Sequence, residues 1–88
     1  MQQSRVIYKY EIGFGRDVDM PYTARILSAG VQGGSIFIWA SVDLSKPMVT
    51  RKLKVFSTGE HFDDKGQYGF IGTVTDNGFV FHVFEDLS

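Results

Sequence analysis

Gly33-Gly34-Ser35-Ile36-Phe37-Ile38-Trp39-Ala40-Ser41-Val42 decides how this chain folds. Two adjacent glycines accept positive φ at both positions, so they make a two-residue hairpin turn. The strand that follows, Ser35 to Asp43, alternates with period two. Ile36, Ile38, Ala40 and Val42 share one face, and Phe37 and Trp39 share the other. A strand apolar on both faces lies centrally in a sheet or beneath a partner.

Upstream, Ala24 to Gln32 is the other arm of that hairpin, with Leu27, Ala29 and Val31 expected on one face. Before it, Arg5 to Ile12 places Val6, Tyr8, Tyr10 and Ile12 together, opposite Ile7, Lys9 and Glu11. Gly13 and Gly15 end that strand. A short piece, Val18 to Met20, stops at Pro21, which cannot donate to a sheet ladder. Downstream, Asp43 to Met48 is a loop. Thr50 to Thr58 points Leu53 and Val55 inward and Lys52 and Lys54 outward, and Phe56 is read as breaking the alternation. Two turns follow, Thr58-Gly59-Glu60-His61 and Asp63-Asp64-Lys65-Gly66. The chain closes with Tyr68 to Val74 and Phe79 to Glu85 across Asp76-Asn77-Gly78, whose Asn-Gly marks a hairpin. Phe79, Phe81 and Val83 oppose Val80, His82 and Phe84, so this strand too is apolar on both faces. The expected fold is all-β: a single domain over residues 1–88, an antiparallel sandwich or partly open barrel of six to seven strands. The segments 43–49 and 60–66 have room for a short helical turn.

Composition narrows the function. Eighty-eight residues make one domain with a thin core. No cysteine is present, so neither a disulfide nor a thiolate metal site supplements that core. Small domains without such staples often gain stability by self-association. The net charge of -1 argues against a nucleic-acid partner, which calls for a basic stripe. Arg51, Lys52 and Lys54 are read as a solvated strand face. No apolar run reaches the roughly 18 residues of a membrane span, so no membrane partner is expected. The opening Met1-Gln2-Gln3-Ser4-Arg5 lacks the apolar segment of a signal peptide, which points to the cytoplasm.

Catalytic patterns are not met. No serine sits in a Gly-x-Ser-x-Gly turn. His61 and His82 lack the spacing of a metal pair, so no metal or other cofactor is expected. Asp63 and Asp64 are read as turn residues that cap local amides. His82, in mid-strand, is read as satisfied by a hydrogen-bond partner. Gly13-Phe14-Gly15-Arg16 lacks the Gly-Lys-Ser/Thr of a phosphate loop and is read as a turn. The candidate binding residues are Phe37, Trp39, Arg51, Lys52, Thr58, Gly59, His61 and His82. The Thr58 hydroxyl and the Gly59 amide offer an anion cradle near Arg51 and Lys52. Phe37 and Trp39, with Phe84, offer a stacking platform. A core position between two sheets is the favoured reading for Trp39.

Ile7-Tyr8-Lys9-Tyr10-Glu11-Ile12, Phe56-Ser57-Thr58-Gly59-Glu60-His61, Ile71-Gly72-Thr73-Val74 and Gly78-Phe79-Val80-Phe81-His82-Val83-Phe84-Glu85, with Ile38-Trp39-Ala40, resemble a family. It comprises small uncharacterised proteins encoded by tailed phages and prophages. The middle motif there reads Phe-Gly-Thr-Gly-His; here Ser57 replaces the first glycine and Glu60 stands before His61. The resemblance implies a viral origin, a small β fold and the host cytoplasm as location. It implies no activity.

Residues and resemblance together lead to a non-enzymatic interaction protein. It is expected to be homo-oligomeric and to bind a host component, with antagonism of a host defence as its biological role. Two alternatives belong to other classes. One is sequestration of a nucleotide-like ligand by Trp39, Arg51, Thr58 and His61 at a subunit junction. The other is a structural or accessory part of the virion.

Overall fold

The structure, a computed structural model, describes residues 4–88. Met1, Gln2 and Gln3, which open the stretch read as lacking a signal-peptide segment, lie outside the described residues. Seven strands run in the order β1 (Val6–Glu11), β2 (Asp17–Pro21), β3 (Arg25–Gln32), β4 (Ser35–Val42), β5 (Met48–Ser57), β6 (Tyr68–Asp76) and β7 (Phe79–Asp86). They form two antiparallel sheets, β1-β4-β3 and β2-β5-β7-β6, and the sheets do not close into a barrel. The fold is therefore the sandwich. No helix occurs among the described residues, so 43–49 and 60–66 contain only turns, irregular chain and the start of β5. The Cα envelope is 16 Å thick, as expected for two sheets about 10 Å apart.

The two strands that are apolar on both faces, β4 and β7, each have a neighbour on either side. Their inner residues make the core. Ile36, Ile38, Ala40 and Val42 of β4 meet Leu53 of β5, Val74 of β6 and Val83 of β7. Ile12, Met20 and Ala24 close the core where the chain crosses between sheets. Both hairpin turns read from the sequence are present. Gly33 and Gly34 have φ of 57° and 79°, and Asn77 and Gly78 have 50° and 81°. Positive φ at both central positions is the type I′ pattern, whose twist matches the flanking strands.

Three residues fall otherwise than the sequence reading expects. Leu27 is exposed, because a bulge between Ile26 and Ser28 shifts the phase of β3 and turns Ile26 inward with Ala29 and Val31. Phe56 does not break alternation. It stays in phase with Lys52 and Lys54 on the outer face of the four-stranded sheet. Trp39 is not a core residue between the sheets. Ile38 and Ala40 occupy the inner positions, so Trp39 lies half-buried on the outer face of the three-stranded sheet. There it covers Gly30, where an added Cβ would meet the indole at 2.9 Å.

The β4–β5 loop turns on Asp43, whose carboxylate accepts the Ser45 amide at 3.0 Å and the Ser45 hydroxyl at 2.7 Å. Asp86 accepts the same two groups from Ser88 at the end of the chain. These hydrogen bonds are the largest influence holding both carboxyls below the ordinary aspartate pKa. A carboxyl with a depressed folded-state pKa stabilises fully above its unfolded value. That stabilisation is lost as pH falls through the folded value. Thermal melts are therefore expected to be flat from neutral pH down to about pH 4 and to drop below it. Asp43→Asn together with Asp86→Asn should shrink that acid-side drop; an unchanged drop would assign it to other carboxylates.

Candidate functional site

The outer face of the four-stranded sheet is the chemically distinctive surface. Strand register sets its rows. Phe56, His82 and Thr73 stand side by side, then Lys54, Phe84 and Phe70, then Lys52, Asp86 and Tyr68. The loop after β5 folds back over this face and lays Phe62 on Phe56, with ring centroids 4.4 Å apart and planes within 17°. Phe84 lies 5.8 Å from Phe56, 5.4 Å from Phe70 and 6.2 Å from Tyr68. Five aromatic rings thus form a continuous layer outside the core. Two of its members stay open to solvent, Phe62 at 48% and Phe70 at 63%. Lys52 and Lys54 border the layer on β5.

His82 sits at one end of the layer, with both ring nitrogens engaged. Nε2 lies 2.7 Å from Thr58 Oγ1, and Nδ1 lies 3.1 Å from Thr73 Oγ1. The expected satisfied strand histidine is what the structure contains, and the Thr58 hydroxyl is used in satisfying it. Gly59 has φ of 88° and allows the turn that places Thr58 there. The Ser57 amide donates to the Glu60 carboxylate at 3.0 Å. Glu60 therefore puts a negative charge where an anion would be cradled, and this turn does not suit an anionic ligand. His61 is exposed on the loop beyond it.

Arg51 is displaced from its expected role. It lies in phase with Leu53, so it points between the sheets. Its Nε and Nη2 hold the Glu85 carboxylate, and its Nη1 donates to Ala24 O at 3.0 Å. Phe37 and Trp39 lie on the outer face of the other sheet, with the Lys9 ammonium 4.7 Å from the Phe37 ring centre. Within one chain, Trp39 and Phe37 are thus on the opposite side of the sandwich from Phe84, Thr58 and His61. Lys52, Thr58 and His82 share a face, with Gly59 and His61 on the loop at its end; Phe37, Trp39 and Arg51 do not join them. Asp63 caps the Lys65 amide at 2.9 Å, as a turn aspartate should. No group of three or more potential ligands is placed for a metal ion among the described residues. A cleft at Gly13, Phe14, Ser35 and Phe81 encloses about 70 Å³, well under the roughly 300 Å³ at which small-molecule pockets begin.

Sequence reasoning did not single out Phe56, Phe62, Tyr68 and Phe70. The signal for Phe56 was its phase with Lys54, opposite the outward Phe84. Phe62 left no signal, because only the folded loop carries it onto the sheet.

Fold and surface together define a small β-sandwich domain that bears an aromatic layer on the outside of its larger sheet. The chain belongs to the family described as Domain of unknown function (DUF7352), whose model matches residues 3–88. Comparison with curated proteins found no match, and comparison with solved structures found none. No helix among the described residues is long and apolar enough to cross a membrane.

Proposed function

We propose that this domain is a non-enzymatic binding protein that docks a protein partner on the outer aromatic layer of its four-stranded sheet. The supporting observation is the layer itself: packed rings, with Phe62 and Phe70 left open to solvent, flanked by Lys52 and Lys54. Aromatic side chains are enriched at the centres of protein interfaces. A contiguous exposed apolar patch on a sheet face has no folding purpose of its own. His82, Thr58 and Arg51, the groups suited to a reaction or a phosphate, are held in internal hydrogen bonds. The resemblance to tailed-phage and prophage proteins supports a phage origin. On that footing the partner is a host component met in the host cytoplasm, and antagonism of a defence is the role that follows.

Phe70→Glu tests the reading. Phe70 is largely exposed, so the variant should keep its melting temperature. Affinity for the partner retained from host lysate should fall by roughly 30-fold or more, the loss of one hot-spot residue. A stably folded variant that retains the same partner with unchanged affinity would remove this layer from the interface.

A further inference from the structure

A sandwich of two open sheets has four edge strands, and here three of them carry protection. β2 is short, holds Asp17 and Asp19 and ends in Pro21. β3 is broken by its bulge at Leu27. β6 carries a bulge between Phe70 and Gly72 and lies against β3, with Ala29 Cβ 3.6 Å from where a Gly72 Cβ would be. Bulges, prolines, charges and covering segments are the devices that keep sheet edges from pairing.

β1 carries the charges of Lys9 and Glu11 but has no bulge and no proline. Its register with β4 is regular from Val6 to Glu11, and Val6, Ile7 and Tyr8 are 40%, 60% and 42% exposed. Its one lysine does not guard the edge. Lys9 reaches back across the sheet to Gln32 Oε1, 2.8 Å away, over the Phe37 ring. Ile12 N–H donates to Ile36 O at 2.9 Å, which fixes the alternation of the ladder. Tyr10, Tyr8 and Val6 therefore bond to β4, while Ile7, Lys9 and Glu11 turn their N–H and C=O groups to the open edge.

We infer that β1 pairs antiparallel with β1 of a second copy of this chain, joining two three-stranded sheets into one continuous sheet across a two-fold axis at Tyr8. The register follows from charge. Ile7, Lys9 and Glu11, with Arg5 next in the same phase, present edge groups, so these positions must face one another. An axis at Lys9 opposes two lysines, and an axis at Ile7 sets Arg5 against the partner's Lys9. Like charges directly opposite are unfavourable. An axis at Tyr10 runs Ile7 against the partner's Gly13, whose φ of 54° has already left the strand. The axis at Tyr8 opposes no like charges: it sets Arg5, whose guanidinium is held by Ser41 and by Thr23 O of its own chain, against the partner's Glu11. It lays Ile7 on the aliphatic stem of the partner's Lys9. It also buries Val6 and Tyr8, the residues the second sheet leaves open. This surface is separate from the aromatic layer, so it stands or falls independently of the proposed partner.

Sedimentation across the micromolar range should show a species of twice the 9.9 kDa chain mass. Ile7→Lys, at an exposed position, should leave the melting temperature of the monomer intact. It should weaken the dimer roughly tenfold to a hundredfold by opposing like charges. Adding Lys9→Glu to that variant should restore most of the affinity. Hydrogen exchange should show the Ile7, Lys9 and Glu11 amides protected in the dimer. A wild-type chain that stays monomeric, a dimer indifferent to Ile7→Lys, or a dimer whose three edge amides exchange freely would each overturn the inference.

Discussion

Arg51→Ala is expected to lower the free energy of unfolding by about 2–4 kcal/mol, measured by urea denaturation. The guanidinium does two jobs at one end of the sandwich. Through Nε and Nη2 it neutralises Glu85 on the neighbouring strand β7. Through Nη1 it reaches Ala24 O, just before β3 in the opposite sheet. The side chains of the pair are only 22% and 12% exposed. Hydrogen bonding to the Glu85 carboxylate is the largest influence on Arg51 and raises its pKa, so the guanidinium stays charged wherever the protein is folded. Truncating Arg51 leaves Glu85 ionised, mostly enclosed and without its partner, and leaves a main-chain carbonyl unsatisfied. That uncompensated charge, more than the lost attraction, is what makes the single variant severe. Arg51→Met combined with Glu85→Leu removes both charges and should recover most of the loss. A loss below about 1 kcal/mol for Arg51→Ala would place the pair with ordinary surface ion pairs.

This pair also shows where sequence reading stops. Arg51 follows Thr50 and precedes Lys52 and Lys54, so by composition it belongs to a basic, solvated stretch. Only its phase with Leu53 betrays that it points inward, and phase alone does not disclose a matching Glu85 thirty-four residues later. The hairpins were legible because their turns demand particular residues: Gly33-Gly34 and Asn77-Gly78 satisfy a backbone rule that acts locally. The central position of β4 and β7 was legible because both faces are apolar. The bulge at Leu27 was not, since inserting one residue flips every side chain beyond it and leaves no mark in composition. Trp39 was read as core because tryptophan is highly buried on average; its alternation with Ile38 and Ala40 was the better guide. The aromatic layer was half legible, through Phe84 and the outward phase of Phe56. Phe62 completes it through a loop whose path depends on tertiary contacts.

The unequal treatment of the two sheet faces bears on function. The outer face of the smaller sheet is quieted locally: Trp39 lies down over Gly30, and Lys9 covers Phe37. The outer face of the larger sheet has no such cover over Phe70 and only a partial one in Phe62. A fold with so little core to spare gains nothing from leaving Phe70 in water. The placement of these rings is intelligible if another surface covers them.

Ile38→Ala should be the most damaging apolar truncation, at about 3–4 kcal/mol. Ile38 is wholly buried in the central strand of the smaller sheet, opposed by Tyr10 on one side and Ala29 on the other. Neither neighbour can move in to fill the space, because both are fixed in register by ladder hydrogen bonds. A domain of this length has a total stability of roughly 4–13 kcal/mol, so the loss takes a large share of it. The melting temperature should fall by roughly 12–30 °C. Leu27→Ala is the matched control. It deletes the same number of carbon atoms three positions before Gly30 on the adjoining strand, where the bulge has turned the side chain to solvent. It should change stability by less than about 0.5 kcal/mol. Uninterrupted alternation predicts that Leu27→Ala is costly, and the bulged register predicts that it is nearly silent. Equal losses at Ile38 and Leu27 would mean that β3 pairs with β4 without the bulge, one residue out of the phase described above.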